Sequence, residues 1–230
     1  MDTIFLEFLE ELLKDFPDVE YLIVRLRLEK IAKGELSIEF LIQEIIKFIK
    51  DKPDGVKLEF LNRIIARFLI DQCINKILRL ICAIINEIKS SEDKRRGIRS
   101  LLWALDKSDL SERTKMKILN EIFSLLNNMA DFDLSEVLVT FSYVSIKLKD
   151  PNKVKLLEKI LDKINQIKED SQIAKALFSF IDFLDNFGAR TFIIVNKKRI
   201  EKIIMKISNP AMRNKLHQKL QEILQEREEY

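Results

Sequence analysis

The chain is poor in the residues that make tight turns, covalent staples and metal sites. Its 230 residues include 4 Gly, 4 Pro, 2 Cys, 1 His and 1 Trp. Average usage would give roughly 16 Gly and 11 Pro. Sheets, dinucleotide-binding folds and phosphate-cradling loops draw on that turn chemistry, so all three are disfavoured. Two cysteines cannot staple a small secreted module. Cys73 and Cys82 fall on one helical stretch, where a rise of about 1.5 Å per residue sets their Cα atoms roughly 13 Å apart, too far for a disulfide. Both read as small buried hydrophobes. No apolar run reaches the roughly 18 residues that span a bilayer. The opening Met1-Asp2-Thr3 is followed by acidic residues, the reverse of a secretion signal. A cytoplasmic protein with no membrane partner is expected.

What is abundant is charge and aliphatic side chain: 33% of residues are charged and 47% hydrophobic, far too apolar for a disordered chain. Lys, Glu and Ile dominate with both signs interspersed, a composition suited to surface ion-pair networks and often met in thermophiles. The formal net charge is only +3, but it is unevenly spread: residues 1–55 sum to −5 and residues 171–221 to +7. Such polarity can steer a partner.

The apolar pattern reads as helix after helix. Ile4, Phe5, Phe8, Leu9, Leu12 and Leu13 stripe the first, over 3–15, and Pro17 opens a second that stops at Gly34. Ser37 caps a third through Ile49, and Pro53-Asp54-Gly55 is a turn. The stripe of Leu61, Ile64, Ile65 and Phe68 loses phase at Asp71, Gln72 and Asn75; a new one runs through Ile74, Ile77, Leu78, Ile81, Ile85 and Ile88. The break belongs near Asp71. Ser91 or Asp93 opens a helix through Leu105, and Ser111 one through Met129. Asp133 and Glu136 have capping-box spacing. The β-prone stretch Val137–Leu148 still fits 3.6 residues per turn. Asp150-Pro151 starts a helix to Lys168, Ser171 one to Gly188, and a further helix covers 190–207. Asn209-Pro210 opens the last, whose sparse apolar residues Met212, Leu216, Leu220, Ile223 and Leu224 suit a capping repeat.

These helices form six pairs, near 3–33, 37–69, 71–106, 111–149, 151–188 and 190–229, recurring every 34 to 40 residues. That period resembles the HEAT and armadillo class of helical-repeat proteins. The resemblance covers the whole chain but rests on period and pairing alone; no Pro, Asp or Arg recurs at equivalent positions. It implies an all-α fold, an α-α superhelix in the form of a right-handed solenoid of six antiparallel helix pairs making one domain. A compact multi-helix globule is the alternative.

Little in the sequence supports catalysis. His217, the single histidine, sits in a polar helix and reads as solvated. No Cys-x-x-Cys, calcium loop or glycine-rich loop is present, and no carboxylate pair stands out among 37 acids. No cofactor and no metal are expected. Three clusters suit binding. Lys94, Arg95, Arg96 and Arg99 precede Trp103; Lys197, Lys198, Arg199 and Lys202 follow Phe192. Both could contact phosphates, or be ordinary surface charge. Phe178, Phe180, Phe183 and Phe187 have the spacing of a core stripe, with an exposed aromatic groove as the alternative. Trp103 is inter-repeat packing or an interface anchor.

A second resemblance is to the alkylpurine DNA glycosylases built from HEAT-like repeats. Trp103 and Asp106, with Arg99 beside them, could stand in for the Trp and Asp of that family's basic face, although its second Trp is missing here. The expected function is a non-enzymatic scaffold binding a protein partner on its concave surface. A nucleic-acid binder using the two basic clusters is the alternative, and a glycosylase the third; association with a second copy is also open.

Overall fold

The computed structural model describes residues 38–67 and 74–225, together with Glu7, Arg27, Glu29, Lys30, Lys33 and Gly34. The expected first two helices, the Ser37 cap, the break near Asp71 and Cys73 fall outside the described residues. Within them the chain is all-α, with no strand. It divides into two compact units, Met1–Leu125 and Leu126–Tyr230.

Over residues 38–67 and 74–125 of the N-terminal unit the helices are α1 (Ile38–Lys50), α2 (Asp54–Arg67), α3 (Ile74–Glu87), α4 (Ser91–Lys107) and α5 (Glu112–Ser124). α1 packs on α3 and α3 on α5, while α2 packs on α4. The expected stripes are the buried ones: Ile45 and Ile49 of α1, Leu61 and Ile64 of α2, and Ile77, Ile81, Ile85 and Ile88 around α3 are all at most 1% exposed. Hydroxyl caps start α4 and α5, where Ser90 and Ser111 accept from the Asp93 and Thr114 amides at 3.3 Å. The α4 cap is one residue before Ser91 and three before Asp93, the two sequence candidates. α5 stops at Ser124 rather than Met129.

The C-terminal unit contains α6 (Asp131–Ser145), α7 (Asn152–Ile164), α8 (Asp170–Asn186), α9 (Arg190–Val195), α10 (Lys197–Ile204) and α11 (Pro210–Gln225). α6 packs on α8 and α8 on α11, with α7 against α6 and α8, and α10 against α11. Four expectations change in detail. α6 begins at Asp131, so Asp133 is a buried residue inside the helix and not its cap. Pro151 occupies the cap of α7, where no side chain bonds the free amides. Glu169, not Ser171, precedes α8. The single helix expected over 190–207 is broken at Asn196, whose amide donates to Phe192 O at 3.1 Å and whose carbonyl accepts from Arg199 at 3.0 Å. A short polar side chain that competes for backbone groups ends α9 and starts α10. Asn209 does cap α11, accepting from the Ala211 and Met212 amides at 3.0 and 3.2 Å.

Contrary to the expectation that no acid recurs, one aspartate device appears three times. Asp54, the first residue of α2, accepts at one carboxylate oxygen from the Lys89 and Ser90 amides, at 2.9 and 2.7 Å. Asp131, first in α6, does the same for Lys168 and Glu169, both at 2.8 Å. Asp170, first in α8, holds Ser208 and Asn209 at 2.7 and 3.2 Å. Each carboxylate therefore reaches one period along the chain. There it satisfies two consecutive amides in the turn before the next pair's second helix, where the backbone has no other partner. The register of the second helices repeats as well. Their eleventh residues, Ile64, Leu101, Phe141, Phe180 and Leu220, are at most 1% exposed.

At Asp54 the device includes a buried cation. Lys57, 2% exposed, donates to Asp54 at 3.1 Å and to Glu87 O at 2.8 Å. Burial pushes the Asp54 carboxyl up, but bonds from Ser90, Lys57 and Lys89 outweigh it and hold the group below its ordinary value. A depressed carboxylate stabilises the fold above its unfolded-state value near pH 4, and that contribution is lost as pH falls through the lower folded-state value. Asp54→Ala is expected to cost about 2–4 kcal/mol in urea unfolding at neutral pH. Asp54→Asn should cost less, yet remove part of the fall in stability below pH 4. An unchanged urea midpoint for the alanine variant would show that the bonds carry no weight.

Gly97 explains how α4 approaches α2. A Cβ there would stand 2.6 Å from Leu61 Cδ2, and Leu61 is wholly buried. Gly97→Ala should therefore lower the melting temperature, its overpacking costing about 1–3 kcal/mol. Alanine's helix propensity, worth roughly 1 kcal/mol, works in the other direction. A raised melting temperature would mean the Leu61 side chain yields freely.

Candidate functional site

In the N-terminal unit the first basic cluster lies on α4. Arg95, Arg96, Arg99 and Trp103 recur three and four residues apart, which puts them on one side of the helix. Trp103 is 40% exposed, so the indole is not core. Local carboxylates temper the charge: Glu92 lies 2.5 Å from Arg96 and 3.8 Å from Arg95, and Asp93 lies 3.8 Å from Arg96. Lys94 and Arg99 are half-buried. Asp106, three residues beyond Trp103, is half-buried too.

In the C-terminal unit the second cluster lies on α10. Lys198, Arg199 and Lys202 are exposed. Arg199 bonds Asp162 of α7 at 2.7 Å, Lys197 stands 3.9 Å from Glu201, and Lys206 donates to Asn165 O at 3.0 Å. Part of this charge holds α10 to α7. The α4 cluster is on the second helix of its pair and the α10 cluster on the first helix of its pair.

The phenylalanines of α8 divide instead of forming one core stripe. Phe180 is buried and meets Phe192 edge-on at 6.0 Å. Phe178 and Phe183 are half-buried, and Phe187 is 55% exposed. Residues 178 and 180 lie on different sides of a helix with 3.6 residues per turn, so one face cannot bury both. Phe183 packs on Phe187 at 4.5 Å and on Tyr143 of α6 at 5.7 Å, and Lys147 stands 4.8 Å over the tyrosine ring. Phe132 of α6 is 47% exposed with Lys175 of α8 at 5.0 Å above it, and Lys215 of α11 stands 5.2 Å above Phe178. Lys175 also pairs with Glu136. Lys219 of α11 is held to Asp182 at 3.1 Å and Asp185 at 3.4 Å. The Asp182 bond is the main reason its ammonium titrates above the ordinary lysine range.

The sequence reading offered the α8 phenylalanines as an exposed groove only as an alternative and missed the lysines and the α6 and α11 residues beside them, although a signal exists. Glu136, Lys175 and Lys215 are each the sixth residue of their helix, one repeat apart. Glu59 of α2 and Arg96 of α4 hold the same register. Trp103 and Tyr143 are likewise both thirteenth. Two grooves flank the layers. One of about 340 Å³ lies between α7 and α9, with Val154, Leu157, Phe192 and Val195 beside Asp150, Lys153 and Glu158. Another of about 290 Å³ lies between α8 and α11.

Among the described residues no cluster of His, Cys, Asp and Glu has the arrangement of a metal site, and no helix is long and apolar enough to cross a membrane. His217 is half-buried, not fully solvated. Cys82 is a half-buried free thiol, and burial, with a smaller contribution from Glu121, pushes it up to about 12. Only the thiolate is nucleophilic. Alkylation of Cys82 by iodoacetamide at pH 8, followed on its own peptide by mass spectrometry, should be at least about a hundredfold slower than for an unperturbed thiol. Modification at the free-thiol rate would mean that the site opens readily.

No protein-family model, curated protein or solved structure matches the chain.

Proposed function

We propose that the protein is a non-enzymatic helical-repeat scaffold, a right-handed α-α superhelix whose second helices line the concave surface and bind a protein partner there. The observation that carries this reading is the surface of α6, α8 and α11, where Phe132 and Phe187 stay 47% and 55% exposed among half-buried Tyr143, Phe178 and Phe183. Phe132 at the start of α6 and Phe187 just past the end of α8 leave a large ring open at either end of this surface, and aromatic anchors dominate protein interfaces. The aspartate bonds and the common register of the second helices support the repeat element of the proposal. Each unit buries its faces against its neighbours and leaves one helical layer for recognition.

A second reading is favoured by the common side of α4 that carries Arg96, Arg99 and the exposed Trp103, a pattern of cations and a stacking ring that suits a nucleic acid. Salt separates the two readings, because phosphate contacts weaken steeply as salt rises while an interface centred on aromatic anchors does not. Affinity capture at low and physiological salt, with and without nuclease, is expected to retain a discrete protein under every condition. Recovery of nucleic acid at low salt alone would overturn the scaffold reading. In that event, charge reversal at Arg95, Arg96, Lys197 and Lys198 should abolish oligonucleotide binding with the helical circular-dichroism signal unchanged.

A further inference from the structure

The groove between α8 and α11 differs from every other concavity described by its one-signed walls. Its floor is apolar, built from Ala174, Phe178, Met212 and Leu216, and its walls carry Lys175, Lys215 and Ser179 with no carboxylate among the lining residues. The larger groove between α7 and α9 mixes Lys153 with Asp150 and Glu158, and so expresses no preference of sign. The two lysines sit at equivalent positions of consecutive second helices, so each stands on its own side of the trough. Lys215 rests over the Phe178 ring at 5.2 Å, a contact that leaves an ammonium's donors open to an anion, whereas Lys175, over Phe132 at 5.0 Å, already pairs with Glu136 and takes a second carboxylate beside it. The segment that builds both walls belongs to the stretch 171–221, which carries a net charge of +7. At about 290 Å³ the groove has room for inserted side chains and not for a folded body.

We propose that this groove docks an acidic amphipathic segment of a partner protein. Its aliphatic or aromatic side chains enter between Phe178 and Met212, and its carboxylates pair with Lys215 and Lys175. This rests on the scaffold reading and names the chemistry of the partner. An apolar floor supplies affinity without sequence precision, while the lysine walls set orientation and reject basic segments.

The test is fluorescence polarisation with the full-length protein and a short labelled amphipathic peptide of Leu, Phe and Glu, against a control peptide with Lys in place of Glu. The Glu peptide should bind and the Lys peptide should not. Lys215→Glu should weaken binding by about tenfold or more. Ser179→Arg fills the trough while adding positive charge, and it too should weaken binding; attraction by net charge alone would instead tighten it. Circular dichroism of both variants checks the fold, and the two substitutions lie on different helices, so one misfolded variant does not remove the test. Equal binding to wild type and both variants, or no binding of the Glu peptide, overturns the proposal. So does a single-stranded oligonucleotide that binds wild type, is lost in Lys215→Glu and tightens in Ser179→Arg. Failure of the broader reading is separable: a protein partner retained equally by wild type and Lys215→Glu overturns the groove and leaves the scaffold standing.

Discussion

A carboxylate that accepts two consecutive backbone amides is the constraint on which the rest of this structure depends. The turn before a second helix ends with amides that no intrahelical carbonyl can satisfy. Here the first residue of the preceding second helix supplies the acceptor. Asp54, Asp131 and Asp170 each span one period, tying turns at 89–90, 168–169 and 208–209. The bond fixes where a turn sits relative to the helix behind it, and the helices it links share a buried register, Ile64 with Leu101 in one unit and Phe141 with Phe180 and Leu220 in the other. Position along the chain is thereby converted into position on a face.

Much of the architecture was legible because it rests on periodicity. The stripe from Ile77 to Ile88 around α3 is buried as expected. Asn209-Pro210 and Ser111 announce their helices through side-chain chemistry. What failed was decided by geometry that no pattern carries. Asp133 and Glu136 have the spacing of a capping box, yet the chain enters α6 two residues earlier, where Asp131 serves a distant turn. The aspartate device was invisible for a related reason. Its partners are backbone amides, which every residue but proline possesses, so only the acid leaves a trace, one among 37. The break at Asn196 depends on an amide that reaches both backward to Phe192 and forward to Arg199.

The candidate surface was less legible than the fold. Sequence finds clusters of adjacent charges, and so it finds Lys94–Arg99 and Lys197–Lys202. It does not show that Arg199 is spent on Asp162 or that Arg96 leans on Glu92. Nor does it find charges gathered from different helices. Lys175 and Lys215 are 40 residues apart in sequence yet line one groove. The α8 phenylalanines show the same limit, since helical spacing says which rings share a side but not which side is covered by α7, α9 and α11. Phe187 ended on the open one.

Because each aspartate grips amide hydrogens instead of side chains, its own hold on a turn asks only that the two residues keep their N–H, whatever else their side chains do. Lys89-Ser90, Lys168-Glu169 and Ser208-Asn209 have almost nothing in common, and all are held alike. A change of side chain at a gripped position therefore leaves the grip intact, while loss of the single short acid releases two amides at once.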